Sequence, residues 1–141
     1  MQVSIVQYNI AAKDKQANFK KVEELLSDVS ADLVVLPEMF NTGFVTDDSS
    51  LVEDMNGPTI QWLIAQSKER ETAICGSLLC REEGVVYNRF LMVSNGEIVG
   101  HYDKTHLFSM AGEQEYIQAG NIKADMVVNG FKIRPTICYD L

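Results

Sequence analysis

The sequence predicts an α/β fold whose core is a mixed β-sheet, and two observations carry that prediction. In the first half of the chain, short apolar runs alternate with segments whose apolar residues recur at helical spacing, which is typical of parallel strands joined by helical crossovers. In the second half, apolar runs are joined by short turns that contain Asn-Gly or Glu-Gly, which is typical of antiparallel hairpins. We therefore expect one sheet that holds both kinds of pairing.

The chain opens with a predicted β-α-β unit. Residues 3–8 carry apolar side chains on both faces, which predicts a strand that is covered on both sides and central in its sheet. Leu33–Leu36 is wholly apolar and predicts a second, buried parallel strand. Between them, Asp14 has the side chain of a helix N-cap. Apolar residues follow it at helical spacing: Phe19, Val22, Leu25, Leu26 and Val29.

The middle of the chain continues this alternation. Gly57-Pro58-Thr59 begins a second predicted helix, and Thr72–Leu79 has the pattern of a third strand. Turns at Glu82–Gly84 and at Asn95-Gly96 then join the apolar runs that flank them. The sheet is therefore expected to continue with antiparallel strands.

The last part of the chain contains a long loop and one more hairpin. Residues 104–120 lack a clean period and contain two glycines, which predicts a loop of the functional kind. Asn129-Gly130 predicts a tight turn whose second arm, residues 131–137, leads directly to Cys138. Because no repeat or low-complexity segment interrupts the chain, we expect residues 1–141 to form one domain.

Composition excludes several classes of function. With 46% hydrophobic and 23% charged residues, the chain can bury a core. Its formal charge of −8 argues against binding to nucleic acid, which requires a basic surface. No segment approaches the roughly 20 apolar residues of a membrane span. Three cysteines without framework spacing favour a reducing compartment, so we expect a cytoplasmic protein without a membrane partner.

Three polar residues end or follow apolar strands: Glu38, Lys104 and Cys138. In an α/β sheet the carboxyl ends of parallel strands form the usual ligand edge. A carboxylate can take the proton of a thiol, an ammonium can stabilise a thiolate or an oxyanion, and a thiolate can attack a carbon bonded to nitrogen. Each residue also has an ordinary structural explanation: a turn cap, a surface lysine and a core thiol.

Three segments then resemble a known family. Leu36-Pro37-Glu38-Met39-Phe40 with Asn41-Thr42-Gly43-Phe44, Tyr102-Asp103-Lys104-Thr105-His106-Leu107-Phe108, and Ile137-Cys138-Tyr139-Asp140-Leu141 follow one another in the order and at the spacing of the nitrilase superfamily of carbon–nitrogen hydrolases. The residues around Glu38 and Cys138 are most similar to the omega-amidase branch. Three ordered segments are far more specific than any one of them.

The resemblance implies a role for each matched residue. Glu38 corresponds to the general base, Lys104 to the lysine that stabilises the oxyanion, and Cys138 to the nucleophile. The backbone N–H of Tyr139 would complete the oxyanion hole, and Glu113 matches a second glutamate that supports the lysine and the substrate amide. The implied reaction is hydrolysis of a small amide through a thioester at Cys138, with release of ammonia and with neither a cofactor nor a metal.

The resemblance also implies an architecture and an assembly. Members of the superfamily form a four-layer α-β-β-α sandwich and are nearly twice as long as this chain. We therefore expect residues 1–141 to be the N-terminal half of such a sandwich, within a longer protein that pairs as a homodimer. On its own, this half is expected to have little activity.

The substrate implied by the omega-amidase branch is the terminal amide of a short dicarboxylic acid, such as 2-oxoglutaramate or 2-oxosuccinamate. The loop aromatic Phe108 and the turn aromatic Phe44 are the nearest bulky residues to the two catalytic segments, and we expect them to wall a small substrate pocket. The cation for the far carboxylate is expected beyond Leu141.

Three alternatives stay open at this point. Cys75, Cys80, His101 and His106 have spacings within the range of a zinc site, although an offset of five along one strand points two side chains to opposite faces. Cys138 and His106, with Asp140 as orienter, could instead form a papain-like pair. A third possibility is a binding or assembly module that keeps the fold without turnover.

Overall fold

The computed structural model describes residues 1–141 and contains two helices and eight strands. In chain order these elements are β1 (Val3–Ile5), α1 (Lys15–Leu25), β2 (Leu33–Val35), β3 (Glu53–Asp54), α2 (Pro58–Glu69), β4 (Ala73–Glu82), β5 (Val85–Ser94), β6 (Glu97–Asp103), β7 (Met126–Val128) and β8 (Phe131–Ile133). Single 3-10 turns lie at Ser49–Leu51, Ser109–Ala111, Glu113–Glu115 and Cys138–Asp140.

The main sheet has the strand order β1-β2-β4-β5-β6, and β3 pairs separately with β4. The pairs β1–β2 and β2–β4 are parallel, whereas β4–β5 and β5–β6 are antiparallel. The predicted mixed sheet is therefore confirmed. β7 and β8 form a separate antiparallel hairpin.

Each face of the main sheet is covered by a different layer. The helices α1 and α2 pack on one face, where Phe19, Val22 and Leu63 meet strand residues such as Ile74 and Leu91. The β7–β8 hairpin covers the opposite face, where its buried residues contact a second set of strand side chains that includes Cys75, Phe90 and Met92. This three-layer arrangement follows from strands that are apolar on both faces.

The predicted central position of the first strand is wrong for the described chain. β1 lies at the edge of the sheet and pairs only with β2. Val6, at its end, faces the helical layer and is buried, but Val3 and Ile5 face the other side with exposures of 45% and 78%. Apolar side chains on both faces predicted coverage on both sides, and a face pattern does not determine how many neighbouring strands are present.

Two other elements are shorter than predicted. Helix α1 ends at Leu25, and its last apolar match, Val29, lies beyond the helix and is partly exposed. The last strand ends at Ile133 instead of continuing to residue 137. Pro135 explains this end, because proline has no N–H for a strand ladder and restricts the residue before it to extended conformations.

Both predicted Asn-Gly turns have the backbone that tight hairpins need. Asn95 and Gly96 have φ values of 51° and 81°, and Asn129 and Gly130 have values of 50° and 78°. Two successive residues with positive φ match the right-handed twist of the flanking strands. These turns therefore fix the registers of β5–β6 and β7–β8.

Candidate active site

Glu38 lies in a tight turn directly after β2. The turn is held by β4, because the N–H of Met39 donates to Ser77 Oγ at 3.0 Å and the N–H of Phe40 donates to the Ser77 carbonyl at 3.3 Å. The Tyr8 hydroxyl donates to the Phe40 carbonyl at 2.6 Å. Met39 and Phe40 are fully buried, whereas the Glu38 side chain keeps 21% of its surface exposed. The turn therefore presents one accessible carboxylate on a rigid base.

Lys104 follows β6 and is completely buried between two carboxylates. Its Nζ lies 2.8 Å from Glu38 Oε1 and 3.0 Å from Glu113 Oε2. Burial would lower the pKa of Lys104, but the hydrogen bonds and negative charges of the two glutamates raise it above its ordinary value. The structure thus keeps this ammonium charged.

Glu113 lies in the long loop and is fully buried, so it is not an exposed loop acid. Its Oε2 accepts a hydrogen bond from the backbone N–H of Phe108 at 2.6 Å, and its Oε1 lies 3.2 Å from Lys104 Nζ. The loop bends at Gly112, where φ is 71°. The long loop therefore brings a second carboxylate to the lysine.

Asn88 on β5 is a residue of the site that no sequence motif predicted. This residue is fully buried, and its Nδ2 donates to Glu38 Oε1 at 2.9 Å and to Glu113 Oε1 at 3.3 Å. Its Oδ1 has no hydrogen-bond partner. The signal in the sequence was an adjacent pair of polar residues, Asn88-Arg89, inside an otherwise apolar strand. Buried polar side chains in such a position need partners, which makes them candidates for a site.

Cys138 lies at the start of a 3-10 turn, beside Glu38. The two residues line one cleft together with Val35, Gly76, Ser77 and Phe90. Cys138 is exposed and has a φ of 46°, in the left-handed region. Non-glycine residues adopt this conformation rarely, and such backbones cluster at functional sites. The geometry presents the thiol to solvent next to a carboxylate.

The surroundings of Cys138 favour the protonated thiol at rest. Burial against the cleft and the negative charge of Glu38 raise its pKa, while the positive charge of Lys104 and the backbone N–H of Tyr139 act in the opposite direction. A protonated thiol beside a carboxylate has a proton to give and an acceptor for it. The arrangement can therefore generate a thiolate when a substrate arrives.

Comparisons with known proteins decide the family. The sequence model of the Carbon-nitrogen hydrolase family matches residues 2–141. The chain belongs to the carbon-nitrogen hydrolase family. It is 35% identical over 144 residues to "Omega-amidase YafV" of Escherichia coli K12, covering 100% of this chain and 55% of that protein. It is 32% identical over 144 residues to "2-oxoglutaramate amidase" of Bacillus subtilis 168, covering 99% of this chain and 56% of that protein.

A solved structure shows the same fold. XC1258 from Xanthomonas campestris, described as a CN-hydrolase superfamily protein with an arsenic adduct in the active site, matches with a TM-score of 0.93 and 35% identity. The alignment covers 99% of this chain and 53% of that one. The carbon-nitrogen hydrolase chain therefore has the nitrilase-superfamily fold, and it spans about half the length of the relatives it matches.

In this carbon-nitrogen hydrolase chain, Asp140 ties the Cys138 segment to the Lys104 segment. Its carboxylate accepts hydrogen bonds from the backbone N–H of Ile137 at 2.9 Å and of His106 at 2.8 Å. The Tyr102 hydroxyl donates to the same carboxylate at 2.8 Å. Residues on both sides of Lys104 are thus fixed to the turn that carries Cys138.

The three aromatic residues expected near the site lie in different places. The Phe44 ring centroid is 5.7 Å from Lys104 Nζ. Phe108 packs on Tyr139, with 5.4 Å between the ring centroids. Neither Phe44 nor Phe108 lines the cleft that contains Glu38 and Cys138. Their expected role as walls of a substrate pocket stays a prediction.

The two alternative sites do not assemble. Cys75 and Cys80 pack in the two separate cores on opposite faces of the sheet, and no group of three or more potential metal ligands comes together. His106 is exposed and pairs with Asp140 at 3.0 Å, but it makes no hydrogen bond to Cys138. The two cysteines are separated because they point to opposite faces of β4, and the His106 ring is held by the Asp140 carboxylate instead of by the thiol.

Neither helix has the length and apolar character that a membrane crossing requires.

Proposed function

We propose that the full-length protein is an amidase that hydrolyses the carbon–nitrogen bond of a small amide through a thioester at Cys138. One observation carries the proposal: Lys104 is buried between Glu38 and Glu113, and Glu38 shares a cleft with Cys138. This combination supplies a base, an electrophilic cation and a nucleophile within one site.

The proposed first half-reaction begins when Glu38 takes the thiol proton and the Cys138 sulfur attacks the amide carbon. The oxyanion that forms is stabilised by the Lys104 ammonium and by the backbone N–H of Tyr139. The protonated Glu38 then gives its proton to the amide nitrogen, the carbon–nitrogen bond breaks, and ammonia leaves. The product of this half-reaction is a thioester at Cys138.

The second half-reaction is hydrolysis of that thioester. Glu38 is a carboxylate again after the loss of ammonia, so it can deprotonate a water molecule that attacks the thioester carbon. The same oxyanion site serves this step, and collapse releases the carboxylic acid and restores the Cys138 thiol. No step requires a redox group.

For the substrate, we propose the terminal amide of a 2-oxo dicarboxylic acid, such as 2-oxoglutaramate. The support is the likeness, at 35% and 32% identity, to proteins described as an omega-amidase and a 2-oxoglutaramate amidase. Residues 1–141 provide the reacting groups, and the partner of the far carboxylate is proposed to lie in the remainder of the full-length protein. Burial of a carboxylate without such a partner would be unfavourable by several kcal/mol.

The test is ammonia release by the full-length protein on a panel of substrates. The panel contains 2-oxoglutaramate, glutamine, a simple aliphatic amide, an aliphatic nitrile and an N-carbamoyl amino acid. We expect the oxo-acid amide to react fastest, and we expect Cys138→Ser and Glu38→Gln each to lose nearly all turnover because the groups act as one unit. Faster turnover of the nitrile or the carbamoyl compound would reject the substrate, and an active Cys138→Ser variant would reject the mechanism.

We further propose that the full-length protein is a homodimer, since closed two-fold pairs are the commonest assemblies of soluble enzymes. The support is general, and the formal charge of −8 does not prevent symmetric pairing. Sedimentation equilibrium at micromolar concentration tests it. A single monomeric species would reject the dimer and leave the proposed chemistry unaffected.

A further inference from the structure

Asn88 holds a place that the mechanism above does not use. Its side chain is fully buried in the middle of β5, opposite Leu79 of β4. Both amide N–H groups point at carboxylates, because Nδ2 lies 2.9 Å from Glu38 Oε1 and 3.3 Å from Glu113 Oε1. The carbonyl oxygen of the same amide has no partner.

The Asn88 side-chain amide is held in one orientation even though its Oδ1 has no hydrogen-bond partner. An unsatisfied buried carbonyl is destabilising, so an amide free to rotate would turn to a better arrangement. Turning it here would place Oδ1 against the carboxylate oxygens of Glu38 and Glu113, which is repulsive. The two carboxylates therefore fix which end of the amide faces them.

The hydrogen bonds divide the two oxygens of Glu38. Oε1 accepts hydrogen bonds from Asn88 Nδ2 at 2.9 Å and from Lys104 Nζ at 2.8 Å, whereas no nitrogen donor reaches Oε2. Two donors on one oxygen restrict rotation of the carboxylate about its terminal bond. Cys138 lines the same cleft as Glu38, and its thiol has this carboxylate as a hydrogen-bond partner.

We propose that Asn88 is a positioning residue that holds Glu38 through Oε1, so that Oε2 stays available for the proton of the Cys138 thiol. This inference rests on the proposed function. Because β5 is a central strand, the amide is attached to a rigid element and not to a loop. The backbone carbonyl of Asn88 also accepts the backbone N–H of Lys104 at 3.0 Å, so this residue contacts both the base and the lysine.

The charge of the site explains why a neutral donor suits this position. The ionisable groups that face Glu38 are Lys104, Glu113 and Cys138, and the two carboxylates already exceed the single ammonium. A second cation would stabilise the ionised base so strongly that it would give up a proton easily but accept one poorly. An amide supplies a directed donor without adding a full charge.

The test uses the full-length protein with Asn88→Asp, Asn88→Ala and the control Gln66→Ala. Aspartate keeps the shape of asparagine but has no N–H at neutral pH and adds a third negative charge. Alanine removes the whole amide group without adding a charge. Gln66 is another buried amide, but it lies on α2 and its side chain contacts Arg70, so its loss reports the general effect of removing such a group.

We expect Asn88→Ala to lower kcat by roughly 10- to 100-fold, the range for loss of a hydrogen bond to a charged group, with KM changed by less than about threefold. The acidic limb of the pH–rate profile should move to higher pH, because the ionised carboxylate has lost a donor. Asn88→Asp should lose at least as much, and Gln66→Ala should keep the wild-type profile. Wild-type kcat or an unmoved acidic limb in Asn88→Asp would overturn the proposal.

A measurement on the wild-type protein covers the case in which the variants do not fold. The side-chain amide of Asn88, labelled with ¹⁵N, should show proton resonances that shift with pH at the midpoint of the acidic limb of activity. Resonances that stay constant across that limb would overturn the positioning role. The two proposals fail separately: an active Cys138→Ser variant rejects the mechanism itself, whereas unaffected Asn88 variants beside an inactive Cys138→Ser variant reject only the role of Asn88.

Discussion

At the scale of single residues, Lys104 occupies an environment that another side chain could not easily fill. It is completely buried and contacts two carboxylates, of which Glu113 is also fully buried. An ion in such a position is stabilised only by its partners, and removal of one partner leaves the others desolvated and unpaired. The lysine therefore supports the fold as well as the proposed chemistry.

Replacement of this lysine should destabilise the protein. We expect Lys104→Met to lower the free energy of unfolding by about 3–5 kcal/mol, because Glu113 and Glu38 lose their counter-ion. The double variant Lys104→Met, Glu113→Gln should recover part of that loss, since one unpaired charge is removed. Urea unfolding of the full-length protein measures both, and equal stability of the lysine variant and the wild type would contradict the burial argument.

The three cysteines should differ sharply in reactivity. Burial raises the pKa of Cys75 to about 12 and that of Cys80 to about 11, and both side chains lie inside the cores. Burial and Glu38 also raise the pKa of the Cys138 thiol, but Lys104 acts in the opposite direction and the side chain is exposed, so a reagent can reach its sulfur. Iodoacetamide should therefore label Cys138 alone in the folded protein. Mass spectrometry of the digested product identifies the site, and labelling of Cys75 at a similar rate would contradict this prediction.

At the scale of elements, Asp140 joins the Lys104 segment to the Cys138 segment through hydrogen bonds. The stability of the protein should therefore depend on the pH at which Asp140 is ionised. Burial would raise the pKa of Asp140, but donors from Ile137, His106 and Tyr102 lower it to about 2. Its contribution to stability is therefore complete above the unfolded value of about 4 and is lost as the pH falls towards 2.

The matched substitution separates this effect from general acid denaturation. We expect Asp140→Asn to be less stable than the wild type at pH 7 by about 1–3 kcal/mol, with the difference shrinking as the pH approaches 2. Asp47→Asn, at an exposed carboxylate without hydrogen bonds, serves as the control. If the difference in unfolding free energy between the wild type and Asp140→Asn stayed constant with pH, the ionised form of Asp140 would not be what joins the two segments.

Strand β4 should tolerate no side chain where it meets the Glu38 turn. A Cβ added at Gly76 would lie 2.9 Å from Leu36 Cβ and 2.9 Å from Phe40 Cδ1. We expect Gly76→Ala to lower the free energy of unfolding by about 1–3 kcal/mol and to reduce turnover, because the turn must move. Gly100→Ala, whose new Cβ would meet the flexible Met126 side chain at 3.3 Å, should be milder. Thermal unfolding and the amidase assay would rank the two, and the reverse ranking would contradict this account.

These elements also show how far the sequence could predict the structure. Periodicity and turn residues predicted both helices, the mixed sheet and the Asn-Gly hairpins, because each depends on local pattern. The short strand β3 was not predicted, since pairing over two residues depends on the neighbouring strand. The early end of β8 was not predicted either, although Pro135 is a local signal for it in the sequence. For the site, the three motifs predicted Glu38, Lys104 and Cys138, but the role of Asn88 required the fold, because it bridges residues 50 and 25 positions away.

At the scale of the whole molecule, residues 1–141 expose an apolar sheet edge. Val3 and Ile5 of β1 are 45% and 78% exposed beside unpaired backbone groups. Exposed edges of this kind pair readily with other chains. We expect the isolated residues 1–141 to self-associate at micromolar concentration, and Ile5→Lys to reduce this more than Val127→Lys, at a hairpin position that is 62% exposed. Sedimentation velocity compares the unsubstituted residues 1–141 with the Ile5→Lys and Val127→Lys variants. A monomeric unsubstituted chain would contradict the prediction.

The separation of the site residues along the chain has a consequence for folding kinetics. Lys104 and Glu38 are 66 residues apart, and Tyr102 and Asp140 are 38 apart, so the site requires the closure of several long loops. Contacts between distant residues form slowly, since the entropy of loop closure is lost before the contacts can repay it. The helices and the β4–β5 hairpin, which depend on nearer neighbours, should form earlier. Catalytic competence should therefore emerge in the slowest refolding phase, after most of the secondary structure has already formed.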